Sequence, residues 1–496
     1  MSPQHRMWHN QVIAFSFPSS SRLMSLALHR HVHPLALGLL IGITLSISSS
    51  SVLQYLDRRR RRAALSESAE QSRPIELRVD EVLDGLPAVI GNTPLIRVPS
   101  LSNAMGVEIL GKAEFLNPGG SVKDRVAGRI IDDAERLGLI HPYTGSRIFE
   151  GTSGSTGISL AMVGRARGYD VTIVVPDDMA TEKLHALRSL GADVEQVRPA
   201  SIVDKKQYVN IAKRRAQEFS AAASSESTSS DDPLLDPMEV TRRGFFADQF
   251  ENRSNYDAHF SGTGPELWRQ TNGNVQAFVS GAGTGGTIAG VGRFLKSMDA
   301  DVVVCLADPE GSGLYNKIKY GVLFDQREKE GTRRRHQVDT VVEGIGLNRL
   351  TQNLNLALPV IDDAFRVTDA EAVAMARYVM RHDGIFIGSS SACNLVASVR
   401  LAKKMGWSNG ERIATVLCDS GSRHYSKFWS VARFMLPRSS TDSKLLLGTT
   451  SISKIRISLS TCKSSKTCSP LDQTRLTSHT PENGRPRLRQ GRSRWC

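Results

Sequence analysis

Asn117-Pro-Gly-Gly-Ser-Val-Lys-Asp-Arg125 is the stretch on which the reading of this chain turns. Asn-Pro-Gly-Gly breaks any preceding strand, and Ser121 stands where a side chain caps a helix. Beyond it Val122, Val126, Ile130, Ala134 and Leu137 recur at helical spacing, and Gly138 ends the pattern. Lys123 is therefore expected in the first helical turn, beside an apolar stripe and near the positive end of the helix dipole. Burial and that dipole both favour the neutral amine, the form that attacks an aldehyde. Taken alone, the commoner reading of such a residue is a solvated surface lysine.

Two more strand–turn–helix junctions follow. Gly151-Thr-Ser-Gly-Ser-Thr-Gly157 comes after a strand expected at Arg147 to Glu150. Its small residues allow close backbone approach, and its hydroxyls and free N–H groups suit a carboxylate. A plain serine-rich turn is the bland alternative. Gly281-Ala-Gly-Thr-Gly-Gly-Thr287 has the composition of a phosphate cradle, with the Thr284 and Thr287 hydroxyls added to the glycine backbone. It lacks the lysine of a P-loop and meets the dinucleotide spacing only loosely, so by itself it is weak. The weight lies in the three motifs occurring together, in this order.

Around them, from about residue 82 to residue 429, β-branched runs alternate with helical patterns, which predicts an α/β fold with parallel sheets. Strands are expected at Asp170–Val175, Asp193–Val197, Val275–Ser280, Val302–Ala307 and Ile413–Cys418, with a helix around Met179 to Leu190. The low-complexity run Ala221 to Asp232 reads as a surface insertion loop.

The formal net charge of +13 belongs to the ends. Residues 1–62 carry eight Arg against Asp57, and residues 430–496 carry 13 Lys and Arg against Asp442, Asp472 and Glu482. The middle, residues 63–429, is left four charges negative. Nothing in the globular part asks for nucleic acid. The six cysteines show no C-x-x-C spacing, which suggests neither a disulfide scaffold nor a zinc site. After a leader of residues 1–33, the apolar stretch Pro34 to Leu56 is followed at once by Arg58 to Arg62. It reads as a transmembrane anchor whose arginines stay cytosolic, with a cleaved targeting peptide and a disordered leader as competing readings. Residues 57–81 read as a basic, polar linker. Residues 430–496 read as a basic, Ser/Thr-rich disordered tail or an artefact of the gene model.

Asn117–Arg125, Thr152–Gly157, Gly283–Thr287 and Gly388-Ser-Ser-Ser391, with Ile90-Gly-Asn-Thr-Pro-Leu-Ile96 near the start, together resemble the cysteine synthase / cystathionine β-synthase family. These are fold-type II pyridoxal phosphate enzymes. Within the family the chain is most similar to the membrane-anchored fungal cysteine synthases. The resemblance covers nearly all of residues 82–429. It implies two interleaved α/β domains with pyridoxal 5′-phosphate in the cleft between them, a homodimer, and no metal.

The same resemblance assigns roles. Lys123 forms the Schiff base with the cofactor and then removes the substrate α-proton. Gly283, Thr284, Gly285, Gly286 and Thr287 bind the phosphate, and Ser390 faces the pyridine nitrogen. A neutral hydroxyl there favours β-elimination over transamination. Thr152, Ser153, Thr156 and Gln249 hold the substrate carboxylate, and Gly344 belongs to a loop lining the site. Ser155 replaces the family's usual asparagine, which meets the cofactor's 3′ oxygen. Serine reaches less far but still donates a hydrogen bond, directly or through water.

The expected reaction is formation of L-cysteine from O-acetyl-L-serine and sulfide, transferase and lyase chemistry in cysteine biosynthesis. Asp308-Pro-Glu-Gly-Ser312 and Val342-Glu-Gly-Ile-Gly346 look somewhat like the cystathionine β-synthase branch, which keeps condensation of serine with homocysteine as an alternative. A catalytically silent membrane-tethered scaffold is a third. The expected location is the mitochondrial outer membrane with the catalytic region facing the cytosol, or the mitochondrial matrix after cleavage of the leader.

Overall fold

Strands covered by helices on both faces cannot alternate apolar with polar, so they appear as continuous runs such as Ala277-Phe-Val-Ser-Gly281, buried at all five positions. The computed structural model describes Leu56 and residues 82–200, 202–227, 242–325 and 340–430. It contains ten strands: β1 (Leu95–Arg97), β2 (Glu108–Ala113), β3 (Arg147–Gly151), β4 (Asp170–Pro176), β5 (Asp193–Val197), β6 (Gly244–Phe246), β7 (Ala277–Gly281), β8 (Val303–Pro309), β9 (Asp363–Val367) and β10 (Arg412–Leu417). The larger sheet has the order β1-β2-β10-β7-β8-β9, the smaller β5-β4-β3-β6. β1 runs antiparallel to β2, while the other neighbours are parallel. The chain thus enters the larger sheet, leaves to build the smaller one, and returns.

Five helices matter for the site: α1 (Lys123–Arg136), α2 (Ser155–Ala166), α3 (Gly286–Met298), α4 (Asp369–Asp383) and α5 (Ser389–Met405). α3 buries Ile288, Val291 and Leu295 against Phe278, Val304 and Val416 on one face of the larger sheet. α4 and α5 cover the other face, with Val373, Val379, Leu395 and Val399 packed on Val279 and Ile413. α1 and α2 share a core with the smaller sheet, through Val126, Ile130, Ile158 and Leu160 against Ile148, Ile173 and Val175. Each such side chain contributes about 1.5–3 kcal/mol by leaving water. The apolar stripe expected after Lys123 is buried through Val126, Ile130 and Ala134, but Leu137, expected to complete it, lies just past the end of α1 and is exposed; Gly138 follows at φ 66°.

Two expectations are corrected. Ser121 is not the cap of α1; Val122 holds that place and no side chain caps the helix. The reason is tertiary. Ser121 pairs with Asp419 in an isolated β-bridge and Val122 N–H donates to the Cys418 carbonyl at 2.9 Å, so this backbone is pinned to the end of β10. The Ser121 hydroxyl still accepts from Lys123 N–H at 3.3 Å. The run from Ala221 is no loop up to Ser227, because helix Tyr208–Ser227 continues through it. Alanine's helix propensity and packing begun at Val209, Ile211 and Ala212 carry the turn-like serines along. β1, β2, β6 and β9 had not been anticipated; β1 and β6 are three residues long, too short for a period to show.

The leader, the apolar stretch 34–56 except Leu56, the linker 57–81 and residues 431–496 lie outside the described residues. Among the described residues no helix is long and apolar enough to cross a membrane.

Candidate active site

Asn117 to Arg125 is held by a buried polar network. Arg125 lies between two carboxylates, Nε to Glu114 Oε2 at 2.8 Å and Nη1 to Glu266 Oε1 at 2.7 Å. Lys112 Nζ adds 2.6 Å to Glu266 Oε2. Asn117 Nδ2 donates to Glu114 Oε2 at 2.7 Å, and Asn117 Oδ1 accepts from Gly91 N–H at 2.9 Å. The Thr93 hydroxyl donates to Glu114 Oε1 at 2.7 Å. Segment 90–96 and the lysine loop are therefore one unit. Burial alone would raise the Glu266 pKa, but Arg125 and Lys112 outweigh it and pull it down to about 2.

Lys123 opens α1, is half-buried, and lines a cavity of about 270 Å³. Enclosure by protein lowers its pKa from the ordinary lysine value, partly offset by Cys418, Asp419 and Glu114. The expected shift toward the neutral amine is present, and its main cause is desolvation.

The turn after β3 brings Thr152, Ser153, Ser155 and Thr156 to the same cavity, joined by Gln249. Thr156 Oγ1 donates to Gln249 Oε1 at 2.5 Å, and Gln249 Nε2 donates to Glu150 Oε1 at 3.1 Å. The Gln249 carbonyl accepts from Asn255 Nδ2 at 2.7 Å, so its backbone is anchored as well. Glu150 had no role in the sequence reading. Its burial, reinforced by Asp248, raises its pKa to about 8, which leaves it largely a neutral acid near neutral pH.

The turn after β7 brings Gly283, Thr284, Gly285 and Thr287 to the same cavity, while Gly286 starts α3 without lining it. The N–H groups of that first turn have no intrahelical acceptor and point past the helix end. Asn255 Nδ2 donates to Thr284 Oγ1 at 2.8 Å, and Thr287 Oγ1 lies 3.1 Å from His259 Nε2. Glycine is required here: a Cβ on Gly283 would come within 2.0 Å of the Gly344 carbonyl, and Gly285 sits at φ +92°.

The serines opening α5 divide the work. The Ser389 hydroxyl accepts from Glu343 N–H at 3.0 Å and the Ser391 hydroxyl from Cys418 N–H at 2.8 Å. Ser390 between them lines the cavity beside Cys418, and Gly344 lines it from the loop that Ser389 holds. Every residue singled out from the sequence except Gly286 thus borders one space at the carboxyl ends of β3, β7 and β10, where open parallel sheets bind ligands.

The sequence reading missed Cys418, Asp419 and His424, which border the same space, and the ion pair Lys183–Glu343, which also lines it. His424 Nε2 lies 3.0 Å from Asp419 Oδ2. Asp419-Ser-Gly-Ser-Arg-His424 directly follows the last expected strand, a position that could have marked it. The donor set suits an aldehyde bearing a phosphate: one desolvated amine sharing its cavity with a glycine turn at a helix start, with two threonine hydroxyls in that turn.

A family model described as pyridoxal-phosphate dependent enzyme matches residues 86–419. Cysteine synthase 2 of Schizosaccharomyces pombe is 51% identical over 384 residues, covering 77% of this chain and 92% of its own length. A candidate mitochondrial cysteine synthase of Saccharomyces cerevisiae is 50% identical over 351 residues, covering 71% and 85%. Among solved structures, O-ureido-L-serine synthase superposes with a TM-score of 0.58 at 27% identity, over 74% of this chain and 99% of its own.

Proposed function

The chain belongs to the pyridoxal-phosphate dependent enzymes, and from that membership we propose that it forms L-cysteine by β-replacement, exchanging the acetate of O-acetyl-L-serine for sulfide. Its cofactor is pyridoxal 5′-phosphate. The observation that carries the reading is the desolvated Lys123 lining the same cavity as Gly283, Thr284, Gly285 and Thr287.

In this reading the first-turn N–H groups of α3 with Thr284 and Thr287 would hold the phosphate, and Lys123 Nζ would hold the aldehyde carbon. A cofactor held there would supply the electron withdrawal that makes the substrate α-proton acidic and lets the β-substituent leave. Lys123 Nζ would be the base that takes that α-proton. Thr152, Ser153, Thr156 and Gln249 orient the substrate carboxylate, and Glu150 keeps the Gln249 amide turned. Ser390, which lines the cavity, would offer the pyridine nitrogen a neutral hydroxyl.

The test is optical. Purified protein incubated with the cofactor should absorb in the visible, and O-acetylserine should shift that band until sulfide restores it, with cysteine released. Lys123→Ala should lose the wild-type band and at least about 10³-fold in turnover, the scale of a lost acid–base group. A colourless wild-type protein would overturn the reading. Faster turnover of serine with homocysteine would replace it by the cystathionine β-synthase alternative.

A mitochondrial location is proposed on the description of the Saccharomyces cerevisiae relative. The finer reading of an outer-membrane anchor at residues 34–56, with the catalytic region facing the cytosol, is tested by alkaline extraction and protease protection of isolated mitochondria. Light scattering of the purified chain tests the homodimer.

A further inference from the structure

Ser155 stands where related chains usually carry asparagine, and a serine hydroxyl has one proton and two lone pairs to dispose of. Arg423 Nη1 donates to Ser155 Oγ at 3.3 Å. Arg423 Nη2 donates to the Gly119 carbonyl. From there the contacts run on. Gly119 N–H donates to Asp124 Oδ2 at 2.7 Å, and the Ser159 hydroxyl joins Asp124 Oδ1, 2.5 Å away, to the Ser155 carbonyl, 3.0 Å away. The result is a closed ring of polar contacts, in which the single Ser159 proton is shared between Asp124 and the Ser155 carbonyl. It passes from Arg423 through the lysine loop to Asp124, the neighbour of Lys123, and returns through α2 to Ser155.

We propose that Arg423 is a positioning residue for the Ser155 hydroxyl, a role that rests on reading the cavity as the cofactor site. Arg423 is half-buried and reaches Ser155 Oγ, while Ser155 itself lines the cavity. A guanidinium donor occupies one lone pair of Oγ and repels the hydroxyl proton, turning the O–H away from Arg423 and into the cavity. There it can donate to the 3′ oxygen of the cofactor. The second guanidinium nitrogen, held by the Gly119 carbonyl, keeps the plane from swinging, which a lysine at this place could not reproduce. Together the short hydroxyl and the arginine behind it supply the single oriented donor that a longer amide would supply alone.

The experiment uses the full chain loaded with pyridoxal phosphate and compares wild type, Arg423→Met, Ser155→Asn and the double variant. The readouts are the position of the visible absorption band, its titration with pH, and kcat/KM. Arg423→Met should move the band and its titration midpoint and lower kcat/KM about tenfold, the scale of one charge-assisted hydrogen bond. In the Ser155→Asn background the same arginine replacement should leave the band and its midpoint in place and change kcat/KM by less than about twofold, because the amide no longer needs orienting. A wild-type band in Arg423→Met, or a defect that Ser155→Asn leaves in place, would overturn the role; the latter would reduce Arg423 to a tie between loops. If Arg423→Met fails to fold, Arg423→Lys takes its place in the same four-way comparison. A wild-type protein without any visible band would sink the cofactor site itself, an outcome distinct from a wild-type spectrum in the variant.

Discussion

Glu150 shows how one buried acid can set a pH dependence. Its ordinary value is 4.5 and the fold raises it to about 8, chiefly by burial. Between those values the unfolded chain ionises this group while the folded chain does not. The stability it contributes is therefore complete below about pH 4.5 and is lost as pH rises through 8. The upper bound is roughly 5 kcal/mol. Glu150→Gln should flatten the fall of Tm between pH 5 and 8.5, and a slope equal to wild type would remove Glu150 as its source. The same residue explains a limit of sequence reading. Gln249 was legible from family likeness, whereas the acid behind it has no local pattern, because only the fold decides that position 150 is dry.

At the scale of elements, the glycine turn between β7 and α3 works by proximity to another loop. A Cβ at position 283 has no room against the Gly344 carbonyl, so Gly283→Ala should push the 340–349 loop outward while leaving both cores intact. We expect cofactor affinity to fall at least about tenfold, about 1.4 kcal/mol, with Tm of the cofactor-free protein nearly unchanged. Titration of the visible band and a thermal melt check the two halves, and unaltered affinity would count against the turn as the phosphate seat. Strand–turn–helix order was readable here because the strand is one apolar run and the turn is almost all glycine and threonine. The start of α1 was not, since a backbone bridge to Asp419, nearly three hundred residues away, displaced the local capping preference of Ser121.

Across the whole molecule, the Lys112–Glu266–Arg125–Glu114 network ties segment 90–96, the lysine loop and the helix Gly264–Gln270 together. Arg125→Met leaves two buried carboxylates facing Lys112 alone. It should cost about 3–5 kcal/mol, visible as a large loss of Tm, since an unpaired buried charge is far more costly than the pair was worth. A change under about 1 kcal/mol would show that the network is not needed for folding. What the sequence determined by itself was the family of elements and the candidates for the main reactive groups. Periodicity and turn chemistry are local properties, and the lysine loop and the glycine turn each carry their pattern within ten residues. Tertiary structure alone decided which groups meet in the cavity, that Arg423 stands behind Ser155, and that burial raises the Glu150 pKa. Those depend on distance and on exclusion of water, and neither quantity exists until the two sheets have closed around the same space.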